Sequence, residues 1–213
     1  MLPFSQREFF ELFERYNEAI WPLQVFAYVL GAISVLATFS SHRLAGVICL
    51  SSLALLWGWT GVAYHWVFFS SINPIAPVFA AVFVGQALIL AFAAIRRPPQ
   101  FSTRSNVMTL AGWGLIAYAA VLYPVLNAWL GHPYPGGPSF GVTPCPLVIF
   151  TFGVLMLSSW RVSWILFIVP CAWSVIGGSA AFLLGVVPDL AMPTSAVLAL
   201  VMNARKPGGE ANF

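Results

Sequence analysis

Seven apolar stretches follow one another along this chain, at about residues 20–40, 44–66, 75–95, 107–130, 143–159, 163–186 and 188–204. A helix needs roughly 20 consecutive apolar residues to cross the hydrocarbon core of a bilayer, which is about 30 Å thick. Five of the stretches meet that length outright. The stretches 143–159 and 188–204 are shorter and are read either as tilted spans or as re-entrant segments. Composition leaves no other solvent for the chain: 60% of its 213 residues are hydrophobic and 7% are charged, whereas a soluble globule of that size must carry a polar surface. The expected fold class is all-α, a polytopic membrane helix bundle of seven transmembrane helices preceded by a short amphipathic interfacial helix.

That first helix is read from residues 5 to 18. Ser5 followed by Glu8 has the spacing of a capping box, and at 100° per residue Phe9, Phe10, Leu12, Phe13 and Tyr16 share one side while Glu8, Glu11, Glu14 and Glu18 share the other. Its polar face is acidic, so it is expected to pack over the bundle as a lid or brace and not to seek anionic lipid. The glutamates also stand where a signal peptide would carry basic and then apolar residues, so the first span is expected to be retained. The divisions expected are 1–19 for the interfacial helix, 20–204 for the bundle and 205–213 for a frayed cytoplasmic tail.

Charge orients the spans. With seven spans and the N-terminus outside, Arg43, Arg96, Arg97, Arg104, Arg161, Arg205 and Lys206 fall on the cytoplasmic side, and only Arg7 and Arg15 fall outside. Glu8, Glu11, Glu14, Glu18 and Asp189 lie outside and Glu210 inside. The expected location is the inner membrane of a bacterium, with the lipid bilayer as first partner. Nine Lys and Arg, dispersed in this way, give no basic run for a nucleic acid. An oligomer or a partner subunit is left open.

Under this topology the unusual polar residues gather on the outer side: Asn17, Glu18, His65, Asn73, His132, Tyr134, Thr143, Cys145 and Asp189. An idle ionisable group at membrane depth costs a few kcal/mol, so such residues are candidates for a site. His65 closes the second span among tryptophans and is a candidate metal ligand, haem ligand or proton carrier. Thr143-Pro144-Cys145-Pro146 opens the fifth stretch, and prolines beside a thiol bare backbone carbonyls around a soft ligand. With His65, His132, Asp189 or Met192 it would make a transition-metal site, and His65 with His132 would make an axial pair for haem. Cys145 with His132 or His65, oriented by Asp189 or Glu18, would instead make a nucleophile and base. Three proline-bearing hairpins, near Asn73-Pro74 to Pro77, Thr143 to Pro146 and Pro188-Asp189 to Pro193, share a loose make-up. Gly177-Gly178-Ser179-Ala180-Ala181 is read as a close helix contact, and Gln86 and Asn127 as interhelical hydrogen bonds.

Several signatures are missing: a Gly-rich phosphate loop, a His-Glu-x-x-His pair, a Cys-x-x-Cys pair, and a lysine within a span for a retinal Schiff base. No disulfide framework is expected from Cys49, Cys145 and Cys171, which show no paired spacing.

Tyr16-Asn17 with Trp21-Pro22, Tyr64-His65, Ile72-Asn73-Pro74, Gly131-His132 with Tyr134-Pro135, Phe140-Gly141 leading into Thr143-Pro144-Cys145-Pro146, Ile149 to Gly153, and Gly177 to Ala181 together resemble the landmarks of an uncharacterised family of bacterial multi-spanning membrane proteins, a domain of unknown function. The resemblance implies that architecture and no reaction, substrate or cofactor. The functional expectation is a small transporter or transporter accessory that receives a small solute or soft metal ion at an outward-facing polar site. A redox or haem protein, a cysteine-dependent membrane enzyme and a structural subunit are the rivals.

Overall fold

The apolar stretches all become helix. The computed structural model describes residues 3–101 and 107–208, and within them runs α1 (Gln6–Ala19), α2 (Leu23–Ala37), α3 (Arg43–Ser71), α4 (Ala76–Arg96), α5 (Val107–Trp129), α6 (Pro144–Met156), α7 (Ile165–Leu184) and α8 (Ala191–Arg205). A single bridge between Phe101 and Ser158 is the only extended pairing among the described residues. The capping box at the start of α1 is formed: Ser5 Oγ accepts from the Glu8 N–H, and the Glu8 carboxylate accepts from the Ser5 N–H at 2.8 Å. Leu12, Phe13 and Tyr16 turn inward, and the chain then bends by 86° into α2.

Among the described residues five helical segments, α3, α4, α5, α7 and Val187–Arg205, are long and apolar enough to cross a membrane, or six if α1 and α2 count as one bent span. Their outer faces carry side chains such as Leu88, Phe92, Phe182 and Leu183, each more than half exposed, which is the surface a lipid solvent favours. The stretch 143–159 takes a different form from a lipid-facing span. Its helix α6 has 13 residues, all of them buried, and at 1.5 Å per residue it extends only about 20 Å. It lies in the middle of the bundle against α3, α5, α7 and α8, with a buried loop from Gly137 to Thr143 leading down to it. A helix apolar on every side is one that protein surrounds on every side.

Contacts divide the helix ends into two groups. At one end Arg43 donates to Ile95 O at 2.7 Å, Arg161 to Ala204 O at 2.7 Å, and Lys206 to Leu155 O at 3.2 Å and Met156 O at 3.0 Å. Each cation therefore sits on carbonyls in the last turn of a helix, where the helix dipole is negative. At the opposite end Gln6 donates to Leu184 O at 2.7 Å and Asn17 to Pro135 O at 2.7 Å. From α2 to α8 the chain passes between these ends seven times. Arg104 and Glu210 lie outside the described residues.

The segment read as a frayed tail has an anchored residue at its second position. Lys206 is buried, and its ammonium also donates to Ser158 Oγ at 2.7 Å. Burial lowers its pKa from 10.5 to about 8. Between those values the unfolded chain binds the proton and the folded chain releases it, so stability rises with pH across that window. The thermal midpoint of the detergent-solubilised protein is expected to climb from pH 8 to pH 9.5, by on the order of 1–2 kcal/mol in stability, and Lys206→Met should flatten the rise. An unchanged slope in the variant would remove Lys206 as its source.

Candidate functional site

The three proline-bearing turns meet. Asn73 before α4, Thr143 and Cys145 at the start of α6, and Asp189 in the 3₁₀ turn Val187–Leu190 before α8 line one cavity of about 180 Å³. Proline at the start of α4 and α6 is what lets each helix begin there, since the residue it replaces would have donated to nothing. Asn73 Oδ1 accepts from the Ile75 N–H at 3.1 Å, and Thr143 Oγ1 donates to Ser139 O at 2.8 Å, so both turns are held by their own side chains. Phe4, Phe9 and Phe13 cover the cavity from α1 and the turn before it, and Tyr64 and Phe69 of α3, Phe79 of α4 and Trp173 of α7 complete the walls. The mouth borders α7, where Ile176, Ser179 and Leu183 are exposed.

Asp189 is 3% exposed, and no Lys, Arg or His lines the cavity with it. Tyr123 donates its hydroxyl to Asp189 Oδ1, and Tyr118 donates to Pro188 O at 2.8 Å. Two tyrosines five residues apart reach one turn because α5 widens into a π-helix at Tyr118–Leu122, where the Tyr123 N–H bonds Tyr118 O. In regular α-helix geometry they would point about 140° apart. The Cys145 thiol stands beside the same carboxyl group and beside the Trp173 indole. Trp173 is 8% exposed, and its Nε1–H has no hydrogen-bond partner.

A second π-helix, Thr60–Phe68 of α3, sets the neighbouring wall. It turns Tyr64 into the cavity and His65 away from it. His65 is fully buried one layer behind, 4.5 Å from Phe83 and 5.0 Å from Trp173 between ring centroids, and neither ring nitrogen has a partner. His132 lies elsewhere, in a shallow surface groove with Glu11, Glu14 and Tyr134. There it stacks flat on Phe10 at 3.5 Å, and its partial burial lowers its pKa. Tyr134 is 54% exposed with its hydroxyl 3.4 Å from Asn17 O, and Glu18 is exposed. Asn17 is buried and works as a fastener: its amide donates to Pro135 O at 2.7 Å and Gly137 O at 2.8 Å, tying the loop to α1.

Of the nine residues singled out from sequence, Asn73, Thr143, Cys145 and Asp189 thus come together, while His65, His132, Tyr134, Asn17 and Glu18 do not line the cavity. The expected metal set of His65, His132 and Cys145 is not assembled. Among the described residues no three His, Cys, Asp or Glu side chains are placed to hold a metal ion. Packing explains this, because one histidine is sealed among aromatic rings and the other is stacked on the surface. The same separation leaves no axial pair for haem and no histidine base in the cavity for Cys145. Sequence reasoning missed Tyr64, Tyr123 and Trp173. Tyr64 adjoined a residue that drew the attention, and the pairing of Tyr118 with Tyr123 has no signal without the π-turn.

Helices with this apolar surface define a multi-pass membrane protein, and this one has a small internal cavity lined mainly by apolar side chains. The chain belongs to DUF6064, a family of unknown function whose pattern matches residues 6–207. No curated protein and no solved structure gives a significant match.

Proposed function

We propose that the protein binds a small organic solute in the cavity beneath α1, acting as a small transporter or as the binding component of one. The supporting observation is that three turns from separate parts of the chain bring an amide, a hydroxyl, a thiol and a carboxyl group to one cavity under an amphipathic helix. A cavity of about 180 Å³ is below the roughly 300–1,000 Å³ of sites for drug-sized ligands, which limits the occupant to a small molecule. In this reading α1 lies on the membrane as a lid, the cavity faces the outside of a bacterial inner membrane, and the C-terminus is cytoplasmic. The cationic end formed by Arg43, Arg161 and Lys206 supports that orientation.

The test is a thermal-shift screen of the purified protein against solutes of up to about ten heavy atoms. A true ligand at 100 times its Kd adds about 2.7 kcal/mol, a shift of several degrees. The shift should saturate and disappear in Cys145→Phe, which fills the cavity. A shift that persists unchanged in that variant would place binding elsewhere and defeat the proposal.

A further inference from the structure

The cavity pairs one buried acid with seven aromatic side chains and no basic residue. The ion pair between Arg7 and Glu11, at 3.6 Å, is the only one among the described residues, so no side chain there neutralises Asp189. A carboxyl group at this depth is costly as an anion unless a positive charge accompanies it. Aromatic faces attract the same partner, because a ring's quadrupole is negative above its plane. The N–H of Trp173, nine-tenths buried at the cavity wall with the Cys145 thiol beside it and no oxygen or nitrogen partner, adds a donor for an oxygen atom.

Resting on the solute-binding reading above, we infer that the ligand is a small organic ammonium compound, its cationic head held against Asp189 and the aromatic walls and its oxygen function facing Trp173. The narrow volume favours a compact head with a short arm, as in an amino alcohol. The exposed Ile176 and Leu183 at the mouth allow the ammonium group to arrive either as a free solute or as the head of a lipid.

Equilibrium dialysis against radiolabelled choline, in lipid-free detergent, tests the assignment with 3,3-dimethylbutan-1-ol as the neutral competitor of the same shape. Choline should bind saturably, with the neutral alcohol at least about tenfold weaker, as expected for a desolvated cation–π and ion-pair site. Asp189→Asn should weaken choline at least about tenfold and leave the alcohol unchanged. Phe79→Leu, a milder change in the wall, should weaken choline by a smaller factor. Choline that binds in detergent identifies the free solute. Phosphatidylcholine retained by wild type and lost from Asp189→Asn in mass spectrometry, without choline binding, identifies the lipid head. Equal binding of alcohol and choline overturns the ammonium assignment while preserving the solute site. Binding of neither choline, alcohol nor lipid overturns the assignment, and the solute reading then stands or falls on the screen against Cys145→Phe.

Discussion

Replacing Gly153 with leucine should destroy the fold. A Cβ at Gly153 would stand 2.8 Å from Gly112 O and 3.0 Å from Ile116 N, and these are backbone atoms of α5 that cannot rotate away. The contact is reciprocal, since a Cβ at Gly112 would stand 2.9 Å from Gly153 O. Two helices approach this closely only where both lack side chains, and the approach brings Cα–H groups onto facing carbonyls. Overpacking in a close-fitted interior costs about 1–3 kcal/mol when neighbours can yield. Here α6 is enclosed by α3, α5, α7 and α8 and has nowhere to retreat, so a cost of about 4 kcal/mol or more is expected. The measurement is the yield of monodisperse protein in detergent, with Gly153→Ala losing part of it and Gly153→Leu nearly all. Gly114→Leu, on α5 with Gly112, is the control, because nothing lies within 4 Å of its Cβ position. Normal yield from Gly153→Leu would show that α5 and α6 do not meet at these glycines.

The contrast between Gly153 and Gly177 separates what a sequence can convey from what it cannot. The run Gly177 to Ala181 reads as a close contact because its small residues cluster, and Gly178 does lie against α8, with Pro193 Cγ 2.8 Å from its Cβ position. Gly153 is the one glycine of its helix, Gly112 has Gly114 two residues on with nothing packed against it, and only the three-dimensional crossing pairs Gly112 with Gly153. The same distinction holds at the site. Proline beside a polar residue marks Asn73, Thr143, Cys145 and Asp189 locally, so their turns were legible, and alternating passes of the chain bring those turns to the same end of the bundle. His65 has the chemistry of a ligand, but its direction depends on a π-turn that rotates every later side chain. Gln86 was legible as an interhelical bond, donating to Leu166 O at 3.0 Å, whereas Asn127 donates to Tyr123 O of its own helix. Lys206 was illegible because an exposed terminal lysine and one seated on helix carbonyls have the same sequence context.

Loosening the N-terminal half of α1 should expose Cys145 to aqueous thiol reagents. The C-terminal half is firmly attached: Tyr16 donates to Val142 O at 2.7 Å, Trp59 donates to the Tyr16 hydroxyl at 3.0 Å, and Asn17 holds the loop. Among the described residues the N-terminal half has one long-range hydrogen bond, from Gln6 to Leu184 O, together with the ring contacts of Phe9 with Phe4, Phe13 and Phe69 and the stack of Phe10 on His132. Gln6→Ala removes about 1 kcal/mol and Phe9→Ala about 2 kcal/mol from the closed state. Because about 1.4 kcal/mol is tenfold in an equilibrium, the pair should raise the population with an open cavity roughly a hundredfold. In a Cys49→Ala, Cys171→Ala background, Cys145 is the sole thiol, and its rate of modification by a charged methanethiosulfonate reads that population. A comparable loss at the other end of the helix, Asn17→Ala, should release the loop 130–137 without the same gain in rate, since that loop carries His132 in the surface groove and does not line the cavity of Cys145. Equal acceleration by both changes would mean that α1 lifts as one rigid body, and no acceleration by either would mean that reagent reaches Cys145 by the lateral mouth beside α7 and that α1 is a brace.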